Sequence, residues 1–267
     1  MASRKEQKEA ARQQRLAAEQ ARALRARRDR RLRTTGGVVL AAVIIVVVAI
    51  AISSKNGASA TAPKPTSAAA KTAAASVKTL LAGIPQDGMT LGSPSAKVTV
   101  TEYGDLVCPV CKQFALGSET QLISNDVRSG KVKLVYRALE TASQTANNAM
   151  FVPSQVAARA AGEQKLGWNY IELFYREQGD ETTSYVTDDY LNGLAGQVTG
   201  LNYATWTSDR QSSTLSGDVS ADQVSAQASG FHSTPTIVIK GPKSQAQPIV
   251  GNPSSYSSLE SVIKSVA

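Results

Sequence analysis

The chain has 267 residues, of which 42% are hydrophobic and 19% charged, a composition that fits one or two globular domains and excludes a wholly disordered protein. Its formal net charge of +8 sits entirely in residues 1–33, which carry twelve Lys or Arg against four acids. The rest of the chain is charge-balanced, so no basic nucleic-acid groove is expected on the folded part, and no nucleic-acid partner.

Residues 1–35 read as a basic cytoplasmic tail. The next stretch, "GGVVLAAVIIVVVAIAI" at 36–52, has no polar side chain. Its 17 residues are at the lower end of the about 17–25 that span a bilayer. The basic flank favours a cytoplasmic N-terminus, so 36–53 is read as a single transmembrane signal anchor that leaves the remaining chain outside. Cleavage within "GASATA" (57–62) is the alternative, and it delivers the same residues to the same side. Residues 54–78 are mostly Ala, Ser, Thr, Pro and Lys, with a single Val and no aromatic, and are expected to be a flexible linker. The folded domain is expected at 79–267.

"KVTVTEY" (97–103) alternates as a strand does, with Val98, Val100 and Glu102 on one face. A helix is predicted over 109–128 and a second strand over 131–137, which together make a βαβ unit with parallel strands. A helix-rich stretch at about 141–229 comes next. Within it, Trp168, Ile171 and Tyr175 mark one buried face, and Leu191, Leu194 and Val198 another behind a cap at Thr187 or Asp188. "TPTIVIKG" and "PIVGNP" read as short strands, and Tyr256, Leu259, Val262, Ile263 and Val266 as the apolar face of a last helix. The fold class is α/β with a helical insertion.

Cys108 and Cys111 are the only two cysteines, spaced as C-x-x-C around Pro109 and Val110. A zinc site needs four ligands, and with no third Cys and one His in the chain no metal is expected. A static disulfide across so short a loop stabilises little. Redox chemistry fits the position, because the pair comes after a strand and opens a helix inside a βαβ unit. Cys108 falls at the helix N-cap and Pro109 at the first helical position, where a missing N–H costs nothing. The orphan N–H groups and positive helix end favour a thiolate at Cys108. Cys108 is expected to be the exposed sulfur that attacks or is attacked, and the more buried Cys111 to resolve the mixed disulfide.

"EYGDLVCPVC" together with "STPTIVIKG" resembles the DsbA-like thiol–disulfide oxidoreductases of the thioredoxin superfamily. The resemblance covers about 84–267 and implies a thioredoxin-like fold with a helical domain inserted after the βαβ unit. It implies a cis-proline at Pro235, with Thr234 before it, in a loop that lies against the C-x-x-C pair. Together with Pro109 and Val110, that loop would bind substrate peptide. It also implies that Glu102 is an acid beneath the site that exchanges a proton with Cys111. Val110 stands where the best-known oxidase of the family has His, and it can donate nothing to the Cys108 thiolate, which implies a weaker oxidant. Val107 precedes Cys108 where thioredoxins proper have Trp. His232 is read as a solvated loop histidine.

These features imply a membrane-tethered, extracytoplasmic oxidase acting on exported proteins with free thiols, re-oxidised by a membrane redox partner and using no cofactor. A reductase or isomerase of the same fold, and a non-enzymatic tethered peptide-binding domain, are the competing readings.

Overall fold

The computed structural model describes residues 64, 66–142, 149–253 and 255–267. The tail and anchor expected at 1–53 lie outside them, as do residues 54–63 and 65 of the expected linker. Among the described residues no helix is long and apolar enough to cross a membrane.

The linker does not extend to residue 78 as expected, because Ala68–Leu81 forms helix α1. The Ser67 hydroxyl accepts the Ala70 N–H at 3.1 Å and so caps it. Alanine is the strongest helix former, and Val77, Leu80 and Leu81 are buried against the core. The helix packs on α5 (Gly167–Glu177). Its last turn is held by Arg128, which donates to the carbonyls of Leu80 and Ala82, each at 2.7 Å. A composition poor in large apolar groups suggests a tether; it is the facing helix that gives those few residues something to bury against.

The central sheet has six strands, β1 (Gln86–Asp87), β2 (Thr90–Leu91), β3 (Val98–Gly104), β4 (Val132–Ala138), β5 (Thr236–Lys240) and β6 (Ile249–Val250), in the order β1-β2-β4-β3-β5-β6. β3 and β4 are parallel, in register from Val98↔Val132 to Gly104↔Ala138. β5 runs antiparallel to β3 and sets Ile237 opposite Glu102. The short β1 and β2, before the βαβ unit, are additions to the expected strands.

The segment between β3 and β4 is helical throughout but not one α-helix. α2 (Pro109–Phe114) passes into a π turn at Ala115–Glu119, then α3 (Thr120–Leu122), then a second π turn at Ile123–Val127. The wider turns leave both Ser118 and Glu119 buried.

The insertion comprises α4 (Phe151–Gly162), α5, α6 (Asp188–Ala195), α7 (Tyr203–Asp209) and α8 (Ser213–Ala228). The face of α5 expected to pack does so, with Trp168, Ile171 and Tyr175 all at 0% exposure. Thr187 is the α6 cap, accepting the Tyr190 N–H. Val198, expected on that helix, is buried just beyond its end. The closing helix α9 (Tyr256–Val266) buries Leu259, Ile263 and Val266.

Asp222 of α8 ties the insertion to the sheet. It accepts the Ala138 N–H of β4 at 3.0 Å and pairs with Arg137 of β4 and Arg159 of α4. Burial still pushes its carboxyl above the ordinary range despite the two guanidinium groups.

Candidate active site

The turn that presents the cysteines is built by Asp105. Its Oδ1 accepts the Val107 N–H and its Oδ2 the Thr141 N–H, both at 3.0 Å. Its own carbonyl accepts the Cys108 N–H at 3.0 Å. Cys108 then takes the helix N-cap position in extended backbone (φ −69°, ψ 122°), with Pro109 first in α2. Both cysteines are free thiols; Cys108 is 5% exposed and Cys111 0%. Cys108 is therefore more enclosed than the exposed sulfur expected, although it alone of the pair has any surface. Pro109 and Val110 are exposed beside it.

The Thr234–Pro235 peptide is cis, and the Thr234 carbonyl oxygen lies 3.7 Å from Cys108 Sγ. The Thr234 hydroxyl bonds that of Thr141, so the loop is tied to the Asp105 turn. The structure thus brings Cys108, Cys111, Thr234 and Pro235 to one place, with Val110 at its rim. His232 is exposed.

The two sulfurs are electrostatically unequal. The Cys108 thiol is lowered to about 6, chiefly by a hydrogen bond from Cys111, against the opposing cost of burial. The Thr234 side chain and the N–H groups of Val110 and Cys111 add to the lowering. Burial pushes Cys111 well above its usual value, reinforced by its bond to Cys108 and by the negative charge of Glu102 and Cys108. That split leaves Cys108 the readily ionised sulfur of the pair and Cys111 the firmly protonated one.

Glu102 is fully buried, and burial raises its carboxyl to about 8, with Glu172 and Cys108 adding repulsion and a hydrogen bond with Glu119 opposing. A carboxyl held at about 8 keeps its proton at neutral pH. Gly104, two residues on, is needed there. A Cβ on it would lie 2.7 Å from the Tyr136 ring and 3.0 Å from Glu102 Oε1.

Gln178, just after α5, is a site residue that sequence reasoning misses. Its Nε2 donates to the Leu106 and Cys108 carbonyls at 2.7 and 3.0 Å, so the insertion clamps the active-site turn. Seventy residues of chain separate it from Cys108, and nothing local to it marks the role. Among the described residues no cluster of His, Cys, Asp and Glu is arranged to hold a metal ion.

The family model described as "Thioredoxin" matches residues 85–265. Disulfide bond formation protein D of Bacillus subtilis (strain 168) is 28% identical over 156 residues, covering 56% of this chain and 66% of that protein, so the chain spans just under two thirds of its length. Probable disulfide bond formation protein D of Bacillus cereus is 23% identical over 159 residues, covering 57% and 69%. Among solved structures, oxidised BdbD from Bacillus subtilis superposes with a TM-score of 0.57 at 22% identity, over 68% of this chain and 96% of that one. DsbA from Chlamydia trachomatis gives a TM-score of 0.55 at 17% identity, over 66% and 90%. At these identities the superpositions establish a shared fold.

Proposed function

The chain belongs to the thioredoxin family, and from that premise we propose that it is a protein thiol–disulfide oxidoreductase of the DsbA-like branch, working through Cys108 and Cys111. The observation that carries this reading is the contrast between the two sulfurs one helical turn apart. Cys108 is lowered to about 6 at a helix start beside the Thr234–Pro235 loop, and Cys111 is raised beneath it. A static disulfide has no use for such a contrast.

In the oxidising direction a substrate thiolate attacks Cys108 Sγ. The Cys108–Cys111 bond breaks, and Cys111 leaves with the electron pair and takes a proton. The substrate's second thiolate then attacks its own sulfur in the mixed disulfide and expels Cys108 as the thiolate. A thiol lowered to about 6 leaves readily as the thiolate at neutral pH, which favours oxidation of the substrate. Thr234 and Pro235 offer the adjoining backbone to the substrate chain, and Pro109 and Val110 form the exposed rim.

The proposal extends to place. A basic tail at 1–35 and an anchor at 36–53 would tether the domain outside the cytoplasm, with exported proteins as substrates and a membrane redox partner as the source of oxidising equivalents. Protease shaving of intact cells should remove the domain, and a protected domain would sink the tether.

The deciding measurement is alkylation and glutathione exchange of the reduced full chain. Cys108 should react with iodoacetamide with a midpoint near pH 6 while Cys111 stays unmodified, and Cys108→Ser should abolish exchange. A pair that never equilibrates with glutathione would leave only the tethered binding domain standing. A redox potential close to that of thioredoxin would turn the reading to a reductase.

A further inference from the structure

Glu102 is one of three buried carboxyls. Glu119, from the first π turn, and Glu172, from α5, are also at 0% exposure. Both oxygens of Glu102 and of Glu119, Glu172 Oε1 and the Tyr175 hydroxyl are buried with no partner among the ordinary hydrogen-bond donors and acceptors of the described residues. Yet the Glu102 and Glu119 carboxyls lie within bonding reach of each other. Two ionised carboxylates only accept, so they bond only with a proton between them. Burial and the neighbouring carboxyls hold Glu119 well above the ordinary range.

Among the described residues one cation meets the cluster. Arg176 pairs with Glu172 one helical turn away and also donates to the Glu172 carbonyl at 3.0 Å. The Arg176 side chain is 16% exposed and lines a groove of about 940 Å³ together with Lys71, Thr72, Ser76 and Thr120. The active-site residues Cys108, Thr234 and Pro235 do not line that groove. Facing the cluster are Cys108 and Cys111 of the active-site helix, Asp105 of the preceding turn, Tyr136 of β4, and Tyr175 of α5. Cys111, Glu102, Glu119, Glu172 and Arg176 thus form a polar series that begins at a buried sulfur and ends at water.

We propose that Glu119 and Glu172 are positioning residues of a proton relay through which Glu102 exchanges the Cys111 proton with water in the Arg176 groove. The inference rests on the oxidoreductase reading above. When the Cys108–Cys111 bond breaks, the electron pair leaves on Cys111 Sγ and the Glu102 O–H gives it a proton. Glu119 passes its own proton to Glu102, and Glu172 takes one from water at the groove and refills Glu119. Re-oxidation runs the same transfers backward. A lone Glu102 would instead be left as a buried carboxylate with no cation beside it, next to the Cys108 thiolate.

The test is a proton inventory on the oxidised, detergent-solubilised full chain, reduced by dithiothreitol in mixtures of H2O and D2O. Several protons in flight give a curved fall in rate with deuterium content. Glu119→Gln and Glu172→Gln should each slow reduction on the order of tenfold or more and straighten the curve. Glutamine keeps the shape and a hydrogen-bond donor, so a purely structural role predicts wild-type behaviour in Glu119→Gln. A linear wild-type plot overturns the relay whether or not the variants fold. So do variants with wild-type rate and curvature, and slower variants that keep the curve. If the wild-type disulfide is not reduced by the dithiol at all, the oxidoreductase reading fails first, and that result differs visibly from a straight inventory.

Discussion

At the scale of single residues, two displaced proton affinities, those of Glu102 and Cys108, have separable consequences. Glu102 has its folded pKa, about 8, above its ordinary 4.5. Its contribution to stability is thus fully present below pH 4.5 and lost as pH rises through 8. Cys108 slopes the other way. Its folded value of about 6 is below its ordinary 9.0, so its contribution is present above pH 9.0 and lost as pH falls through 6. In a Cys108→Ser background, urea unfolding should therefore show stability declining from pH 4.5 to 8, and Glu102→Gln should flatten that decline. Val110, at the exposed rim, gives the thiolate no side-chain donor. Val110→His should move the alkylation midpoint of Cys108 lower by about one unit, or ~1.4 kcal/mol, and make the couple more oxidising.

At the scale of elements, the site is a turn, a helix and a loop held from outside. Gln178→Ala removes the donor to two buried carbonyls and should cost about 1–3 kcal/mol in chemical denaturation. It should also broaden the pH dependence of Cys108 alkylation as the turn loosens. Leu81→Ala in α1, at 5% exposure, should cost about 2–5 kcal/mol, where a true linker residue would cost nothing. These two cases mark what the chain reveals by itself. The βαβ unit is legible because alternation in "KVTVTEY" and the C-x-x-C at a strand end are local patterns. So are Thr234 and Pro235, through the motif they sit in. α1 is not, because alanine looks the same in a tether and in a helix that has a partner. Gln178 and Glu119 escape notice for a related reason. Their importance lies in what the fold sets beside them, and a π turn has no local signature that announces it.

For the molecule as a whole, the insertion and the sheet share one hydrophobic core and are tied by polar contacts across it. Asp222 is the main ionic one, joining α8 to β4 and α4 through Ala138, Arg137 and Arg159. Asp222→Ala leaves two guanidinium groups without their counter-charge and should cost about 3–5 kcal/mol by thermal or urea unfolding. Because Gln178 clamps the cysteine turn from the same insertion, the loss should also appear as faster alkylation of Cys111 at temperatures below the main transition.

The two π turns of the active-site helix have a consequence for counting. Each is equivalent to one extra residue wound into an α-helix, and each added residue rotates the downstream side chains by about 100° around the axis. The span from Ala115 to Val127 therefore carries two residues that an unbroken helix of that reach would lack. Alignments with relatives should place a two-residue gap between Cys111 and Val132 wherever the helix is regular. Relatives that keep both residues should be the ones that also keep a carboxyl facing Glu102.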